Sequence, residues 1–164
     1  MGLIELVKMP VAITMLTDAL EWVFPKLQHL RDLESGAYGG YFSVRDHFTG
    51  EMIFVSGVGC VLAEKAEEDF RLSLENSARL FQNPDHASSS QSRQPDQKQC
   101  AGAVRTVGGL ISFAGLSGDD QNEVLVLAVG HKSGLLRLPD ARYIASLSGN
   151  QLFEAAFDYL HLNG

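Results

Sequence analysis

The sequence predicts an α+β fold in which two β-hairpins form one antiparallel sheet with flanking helices. Segments 39–58 and 101–115 are rich in β-branched and aromatic residues, and each contains a glycine-bearing turn. Between them, 62–81 shows the three-to-four spacing of a helix. Because hairpins cannot bury a face alone, we expect them to join as one sheet of four to five strands with helices packed on one side.

The length and composition predict one globular domain. The 164 residues correspond to a single domain, 1–164, with its core at about 37–131. Further helices are expected at 10–35 and 139–161. Hydrophobic residues make up 45 % of the chain and charged residues 20 %, which is typical of a protein that buries its own core. Collagen-like, coiled-coil and largely disordered chains are excluded.

The N-terminal region is predicted to be helical but interrupted. Apolar residues recur every three or four positions within 16–30, which favours a helix over 10–34. Pro10 suits a first helical turn. Pro25 removes a backbone donor and disfavours helical geometry at the residue before it, so we expect a kink or break that gives two helices. Gly36 can adopt the left-handed conformation that ends a helix.

The first hairpin is predicted to pair 39–46 with 51–58 across a four-residue turn from His47 to Gly50. The helix at 62–81 follows it, with charged residues on its solvent side. Its expected apolar face comprises Ala66, Phe70, Leu74, Ala78 and Phe81.

A polar segment, 82–99, separates this helix from the second hairpin. Ala87 is its one apolar residue. Ordering a backbone costs about 1–2 kcal/mol per residue, and such a segment has little apolar surface to offset it. We therefore expect a mobile loop with sparse contacts, which is either a functional loop or a linker.

The second hairpin is predicted to pair 101–107 with 110–115 across the turn Gly108-Gly109, which tolerates positive φ at both positions. The alternation of a strand places Ile111 and Phe113 on one face. These two strands complete the predicted sheet.

Three helices are predicted after the second hairpin. Ser117 and Asp120 resemble a capping box, which favours a helix ending at Gly130 over the strand that its valine and leucine run would also allow. Two more helices are expected near 139–147 and 150–161. The last has an apolar stripe comprising Phe153, Ala156, Phe157 and Leu160.

Charge and cysteine content indicate a soluble cytoplasmic protein without a nucleic-acid partner. The net charge is −7, and the basic residues are scattered rather than clustered on one face. Lys8 and Asp18 interrupt the early apolar stretch, so no membrane span or signal peptide is predicted. The two cysteines, Cys60 and Cys100, are expected to be reduced thiols.

Three short motifs carry a family resemblance over about residues 40–130. Val44–Glu51 looks like a V-x-D-x-x-G hairpin with one more residue before its glycine, Lys65 precedes a long helix, and Ile111–Leu116 precedes a helix with acids in its first turn. In this order of elements, the chain resembles profilin-like and PAS-like domains. In these motifs it resembles the GlcG/HbpS-like family, whose members are described as haem-degrading or haem-binding. The resemblance implies a small-ligand-binding domain, with haem as one ligand class and Lys65 near the ligand.

Several side chains, considered by themselves, could bind a ligand. His47 in the first turn and His86 in the polar segment could each ligate haem or a metal, although solvated loop histidines would look the same. No histidine, cysteine or acid spacing indicates a metal site. Hydroxyls and a cation in the polar segment could wrap an anion or phosphate, or simply belong to a flexible linker. These residues are Ser88, Ser89, Ser90 and Arg93.

Three functional hypotheses follow, and the sequence assigns no reaction. The first is a small-ligand-binding domain with its pocket between the sheet, the helix at 62–81 and the segment 82–99. The second is an interaction scaffold that forms a homodimer or larger homo-oligomer through the aromatic residues of the C-terminal helices, Phe153, Phe157 and Tyr159. The third is an enzyme with Cys60 as nucleophile, since a helix beginning at 62 would lower a thiol pKa, although a buried structural cysteine is the alternative.

Overall fold

A computed structural model describes residues 3–30, 39–97 and 99–163, and it has the predicted α+β fold. The described residues form five α-helices and four β-strands. In chain order these are α1 (Leu3–Leu30), β1 (Gly39–Arg45), β2 (Met52–Gly59), α2 (Ala66–Gln82), β3 (Ala103–Thr106), β4 (Gly109–Ala114), α3 (Asp119–Lys132), α4 (Leu138–Ser148) and α5 (Phe153–Tyr159).

The two hairpins form one antiparallel sheet, as predicted, in the order β2-β1-β4-β3. They are joined by pairing between β1 and β4, which places Phe42 opposite Phe113. The first turn has the predicted position, and Asp46 Oδ1 holds it by accepting hydrogen bonds from the backbone N–H of Phe48 and Thr49 at 2.7 and 2.8 Å. The second turn lies one residue earlier than predicted, because Gly109 pairs with Thr106.

Helices cover both faces of the sheet, so the expectation of one covered face is wrong. On one face, Phe42, Ile111 and Phe113 belong to the core that α1, α3, α4 and α5 share. On the other face, Ala103 and Leu110 pack with Leu80 of α2. Each residue of β4 is buried, which is the pattern of a central strand enclosed from both sides.

The predicted break at Pro25 is wrong, since α1 continues through it as one helix. Pro25 is exposed, whereas Val23, Phe24 and Leu27 are buried, and the Phe24 ring lies 6.0 Å from that of Phe113. A proline inside a helix costs about 3 kcal/mol, which the burial of two or three such side chains at about 1.5–3 kcal/mol each offsets. The predicted cap at Gly36 lies outside the described residues.

Helix α2 is present but begins four residues later than predicted, at Ala66, and its predicted apolar face is not the face that packs on the sheet. Phe70 is 41 % exposed. Ser73 Oγ donates to Ser43 Oγ at 3.0 Å, and Arg45 Nε donates to Ser77 Oγ at 3.0 Å. The sheet face beneath α2 is rich in polar groups, and buried polar groups need partners, so the polar stripe of the helix is turned inward. The buried residues of α2 are Asp69, Ser73, Asn76, Ser77, Arg79 and Leu80.

The helix after the second hairpin is confirmed, although its predicted capping box is wrong. Gly118 occupies the N-cap position without a side-chain cap, and Ser117 Oγ donates to Gln121 Oε1 at 2.9 Å instead. Asn122 Oδ1 fixes the preceding turn by accepting from the backbone N–H of Leu116 at 3.0 Å. Helix α3 continues past Gly130 to Lys132.

The C-terminal helices are also confirmed, but their aromatic residues do not form the expected interface. Phe153 and Phe157 are 2 % and 0 % exposed, and their rings contact each other in the core of the same chain at 4.2 Å. Tyr159 is 45 % exposed. Two of the three residues predicted to form an interface, Phe153 and Phe157, therefore belong to the core of the chain.

The expectation of sparse contacts for segment 82–99 is wrong. Ser88 and Ser89 are fully buried, and Ser88 pairs with Val104 at the outer edge of β3. Arg79 of α2 donates to the carbonyl oxygens of Ser89 and Cys100 at 3.0 and 2.6 Å. Hydrogen bonds, which a count of apolar residues does not reveal, fasten this segment to α2 and β3.

We expect Arg79→Met to lower the free energy of unfolding by about 2–4 kcal/mol, because it removes the guanidinium that donates to the carbonyl oxygens of Ser89 and Cys100 and to Ser92 Oγ. The control is Arg71→Met on the same helix. Arg71 is exposed, and its Nη2 lies 3.9 Å from Glu68 Oε1. An exposed pair of this kind contributes about 0–1 kcal/mol. Urea denaturation of both variants measures the difference. Equal effects would show that Arg79 does not hold the segment.

Candidate functional site

The structure does not bring all the predicted ligand-binding residues together. His47 lies in the first turn, with its ring 4.2 Å from that of Phe48. Lys65 lies near the other end of β1, where its Nζ donates to the carbonyl oxygen of Gly115 at 3.3 Å. A seven-residue strand separates the two ends by roughly 20 Å at about 3.3 Å per residue. These two side chains therefore belong to different surfaces.

Cys60 is exposed at the end of β2 and is not at a helix N-terminus. The prediction that α2 begins at 62 is wrong, because the helix begins at Ala66 after a turn. The helix-dipole argument for a reactive thiol therefore loses its basis.

The polar segment gives its candidate residues protein partners. Ser89 Oγ accepts from the backbone N–H of Ala103 at 3.1 Å. Arg93 forms an ion pair with Asp119 at the start of α3. The carbonyl oxygen of His86 accepts from Arg105 Nε at 3.0 Å, while Nδ1 of its ring is buried without a hydrogen-bond partner. The side chains of Ser89 and Arg93, which could otherwise bind an anion, are therefore engaged with other residues of the same chain.

Ser88, which also contacts Ser90 Oγ, meets a buried carboxyl group that sequence reasoning missed. Glu123 of α3 is 1 % exposed. Its Oε2 lies 2.8 Å from Ser88 Oγ and 2.6 Å from Ser148 Oγ, and its Oε1 accepts from Asn150 Nδ2 at 3.1 Å. The one sequence feature that could have indicated this group is the position of Glu123 directly before the apolar run 124–129.

Burial raises the pKa of Glu123. Hydrogen bonds from Ser148, Asn150 and Ser88 act in the opposite direction, and the charge of Asp120 adds to the increase. A raised pKa in the folded state means that the contribution of Glu123 to stability is complete below about pH 4.3, the ordinary glutamate value. It is lost as the pH rises through the raised value.

An apolar cavity of about 320 Å³ lies between α1, α3 and α5. It is on the side of the sheet away from α2, whereas the predicted pocket lies between the sheet, α2 and segment 82–99, which the polar contacts described above join. Two amide side chains, Gln28 and Gln121, line it together with Phe24, Leu27, Leu116, Val124, Leu125, Leu152, Ala155 and Ala156.

The cavity lining does not fit a haem group held through an iron ligand. Its described side chains are aliphatic, aromatic and amide groups, with no imidazole or thiol among them. His131 lies elsewhere, with its ring 5.9 Å from that of Phe157 and its Nδ1 2.9 Å from the carbonyl oxygen of Leu136. The described residues also contain no cluster of three metal-binding side chains.

The comparisons with known proteins assign no family. Among the helices of the described ranges, none combines the length and apolarity that a membrane crossing needs. The resemblance to the GlcG/HbpS-like family stays a prediction from the sequence. No protein-family model, curated protein or solved structure matches this chain.

Proposed function

We propose that this chain binds a small, mostly apolar molecule in the cavity between α1, α3 and α5. The observation that carries the proposal is an apolar cavity of about 320 Å³ with two amide side chains in its lining. Binding sites for small molecules are typically about 300–1,000 Å³, mostly apolar, with a few polar groups that orient the ligand.

The surroundings of the cavity favour a neutral ligand. Gln121 lines it, and the two residues before Gln121 are the acids that begin α3. One of them, Asp120, lies 3.5 Å from the backbone N–H of Gln151, beside the lining residue Leu152. Asp119 is paired with Arg93, but the carboxylate of Asp120 near the lining disfavours an anion, while amides can donate to and accept from a neutral polar group.

The proposed activity is binding and not catalysis. Amide side chains do not titrate, and the described lining contains no nucleophile or general base. Cys60, the candidate nucleophile, does not belong to this lining.

Blocking the cavity opening tests the proposal. Ala155 is exposed and lines the cavity, so Ala155→Trp should fill the opening without disturbing the core. We expect the variant to bind 1-aminoanthracene, a neutral apolar probe, at least tenfold more weakly than the wild-type chain. Titration of probe fluorescence measures both affinities.

The matched control is Ala63→Trp, which adds the same side chain at an exposed alanine outside the cavity. It should bind the probe like the wild-type chain. Absence of saturable binding by the wild-type chain, or equal binding by Ala155→Trp, would refute the proposal.

A second candidate function, self-association, is favoured by the surface that Phe70 of α2 and Tyr41 of β1 form beside the edge strand β2. Phe70 remains 41 % exposed and packs edge-on against Tyr41, with ring centroids 5.3 Å apart. Among the described residues, β2 pairs with β1 alone, so its outer edge is open. An open, apolar strand edge beside an apolar helix stripe is a typical interaction surface.

The uncharged edge of β2 makes a second copy of this chain the occupant that we propose. The chain has a net charge of −7, so two copies repel each other over most approaches. Residues 52–60 contain no charged side chain. Antiparallel pairing of two β2 edges would therefore bring no acids opposite one another within the strands, and it would form a closed twofold interface.

Substitution of Phe70 tests this candidate. We expect the wild-type chain to be a dimer and Phe70→Glu to be a monomer, because the variant places a carboxylate in the apolar surface. Light scattering coupled to size-exclusion chromatography measures the mass. The control is Phe48→Glu, at a phenylalanine that is 66 % exposed in the first turn, which should remain dimeric. A monomeric wild-type chain at high micromolar concentration would exclude self-association.

A further inference from the structure

We propose that Glu123 is held as a neutral carboxylic acid that completes a ring of four hydrogen bonds, and that its ionisation releases the Ser88–Ser92 turn. The ring joins segment 82–99, helix α3 and the end of α4. It is independent of the proposed ligand cavity.

Four oxygen atoms form the ring. Glu123 Oε2 lies 2.8 Å from Ser88 Oγ and 2.6 Å from Ser148 Oγ. Ser90 Oγ closes it, at 2.9 Å from Ser88 Oγ and 2.9 Å from Ser148 Oγ. Each of the four separations is a hydrogen-bond distance for an O–H group and an oxygen acceptor.

The proton count identifies the state of Glu123. The four ring contacts need four protons, one between each pair of atoms, and Ser148 Oγ also lies 3.1 Å from the carbonyl oxygen of Ile144, a further acceptor for its single proton. Each serine hydroxyl has one proton, so the three serines supply three. If Glu123 is ionised, two oxygens face each other at hydrogen-bond distance with no proton between them. A proton on Oε2 supplies the fourth and lets each ring oxygen both donate and accept.

The second carboxyl oxygen agrees with this count. A neutral carboxylic acid has one hydroxyl oxygen and one carbonyl oxygen. Oε1 accepts from Asn150 Nδ2 at 3.1 Å, as a carbonyl oxygen does, while Oε2 occupies the ring position that must also donate.

The charges around Glu123 favour the neutral form. Asp120, one turn earlier on α3, is an acid whose charge raises the pKa of Glu123. The nearby arginines are engaged elsewhere, Arg93 of the segment with Asp119 and Arg79 of α2 with Glu75. The end of α4 contributes the uncharged groups of Ser148 and Asn150. Burial without a cationic partner opposes ionisation.

Ionisation transfers the Oε2 proton to solvent and leaves one ring contact without a proton. An ionised Glu123 supplies no proton in its place. The two hydrogen bonds of Ser90, with Ser88 and Ser148, are therefore the ones that weaken. The turn has two backbone hydrogen bonds that report on its release. Gln91 N–H donates to the carbonyl oxygen of Ser88 at 3.2 Å, and Arg93 N–H donates to the carbonyl oxygen of Ser90 at 3.4 Å.

Carbon-13 NMR of the Glu123 carboxyl group tests the protonation state between pH 4 and 9. We expect the chemical shift of a neutral acid well above pH 4.3, the ordinary glutamate value. A carboxylate shift already present at pH 5 would overturn the proposal, whatever any variant does.

Amide hydrogen exchange at Gln91 and Arg93, corrected for intrinsic rates, tests the release. Protection in the wild-type chain should fall at least tenfold as the pH rises through the measured Glu123 pKa. Glu123→Gln is the matched variant, because its NH₂ group can donate to both Ser88 and Ser148 at every pH and should keep the protection constant. Unchanged protection in the wild-type chain across that pKa would overturn the release.

Discussion

The burial of the middle of α3 is the constraint on which the rest of this structure depends. Every residue from Asn122 to Gly130 is buried, so the helix has no solvent-facing side along most of its length. A helix enclosed in this way must be apolar all round or must satisfy each polar side chain inside the protein. The sheet and the helices α1, α4 and α5 supply its apolar surroundings. Asn122 and Glu123 are the exceptions: Asn122 accepts a hydrogen bond from the backbone N–H of Leu116, and segment 82–99 comes inward to meet Glu123.

Polar contacts position the layer on the other side of the molecule. Helix α2 packs its polar stripe on the sheet, and Arg79 fastens segment 82–99 to the same helix. A layer built on hydrogen bonds depends on geometry more than on buried area, because a donor or acceptor left unpaired costs about 1–3 kcal/mol. The consequence is visible at Phe70, which remains on the surface because the polar stripe is turned inward.

From the sequence, the helices and strands of this fold can be predicted better than the contacts that their side chains make. Alternation and glycine-bearing turns identify both hairpins, and periodicity identifies the helices. Periodicity tells which residues of α2 share a face, but the polar groups of Ser43 and Arg45 decide which face turns inward. The contacts of Glu123 are still harder to foresee, since Ser88 and Ser148 lie 35 and 25 positions away in the chain. No local pattern contains that information.

Helical geometry explains how one helix can serve both a cavity and a buried acid. Successive residues of an α-helix point about 100° apart, so Glu123 is directed away from its neighbours Val124 and Leu125. Those two residues line the cavity with α1 and α5, while Glu123 meets the serines on another side of α3. Because the body of the helix separates them, an apolar ligand can occupy the cavity without entering the hydroxyl ring. The same separation keeps the acid out of the cavity lining, which leaves the amide of Gln121 as the polar group that α3 offers to a ligand.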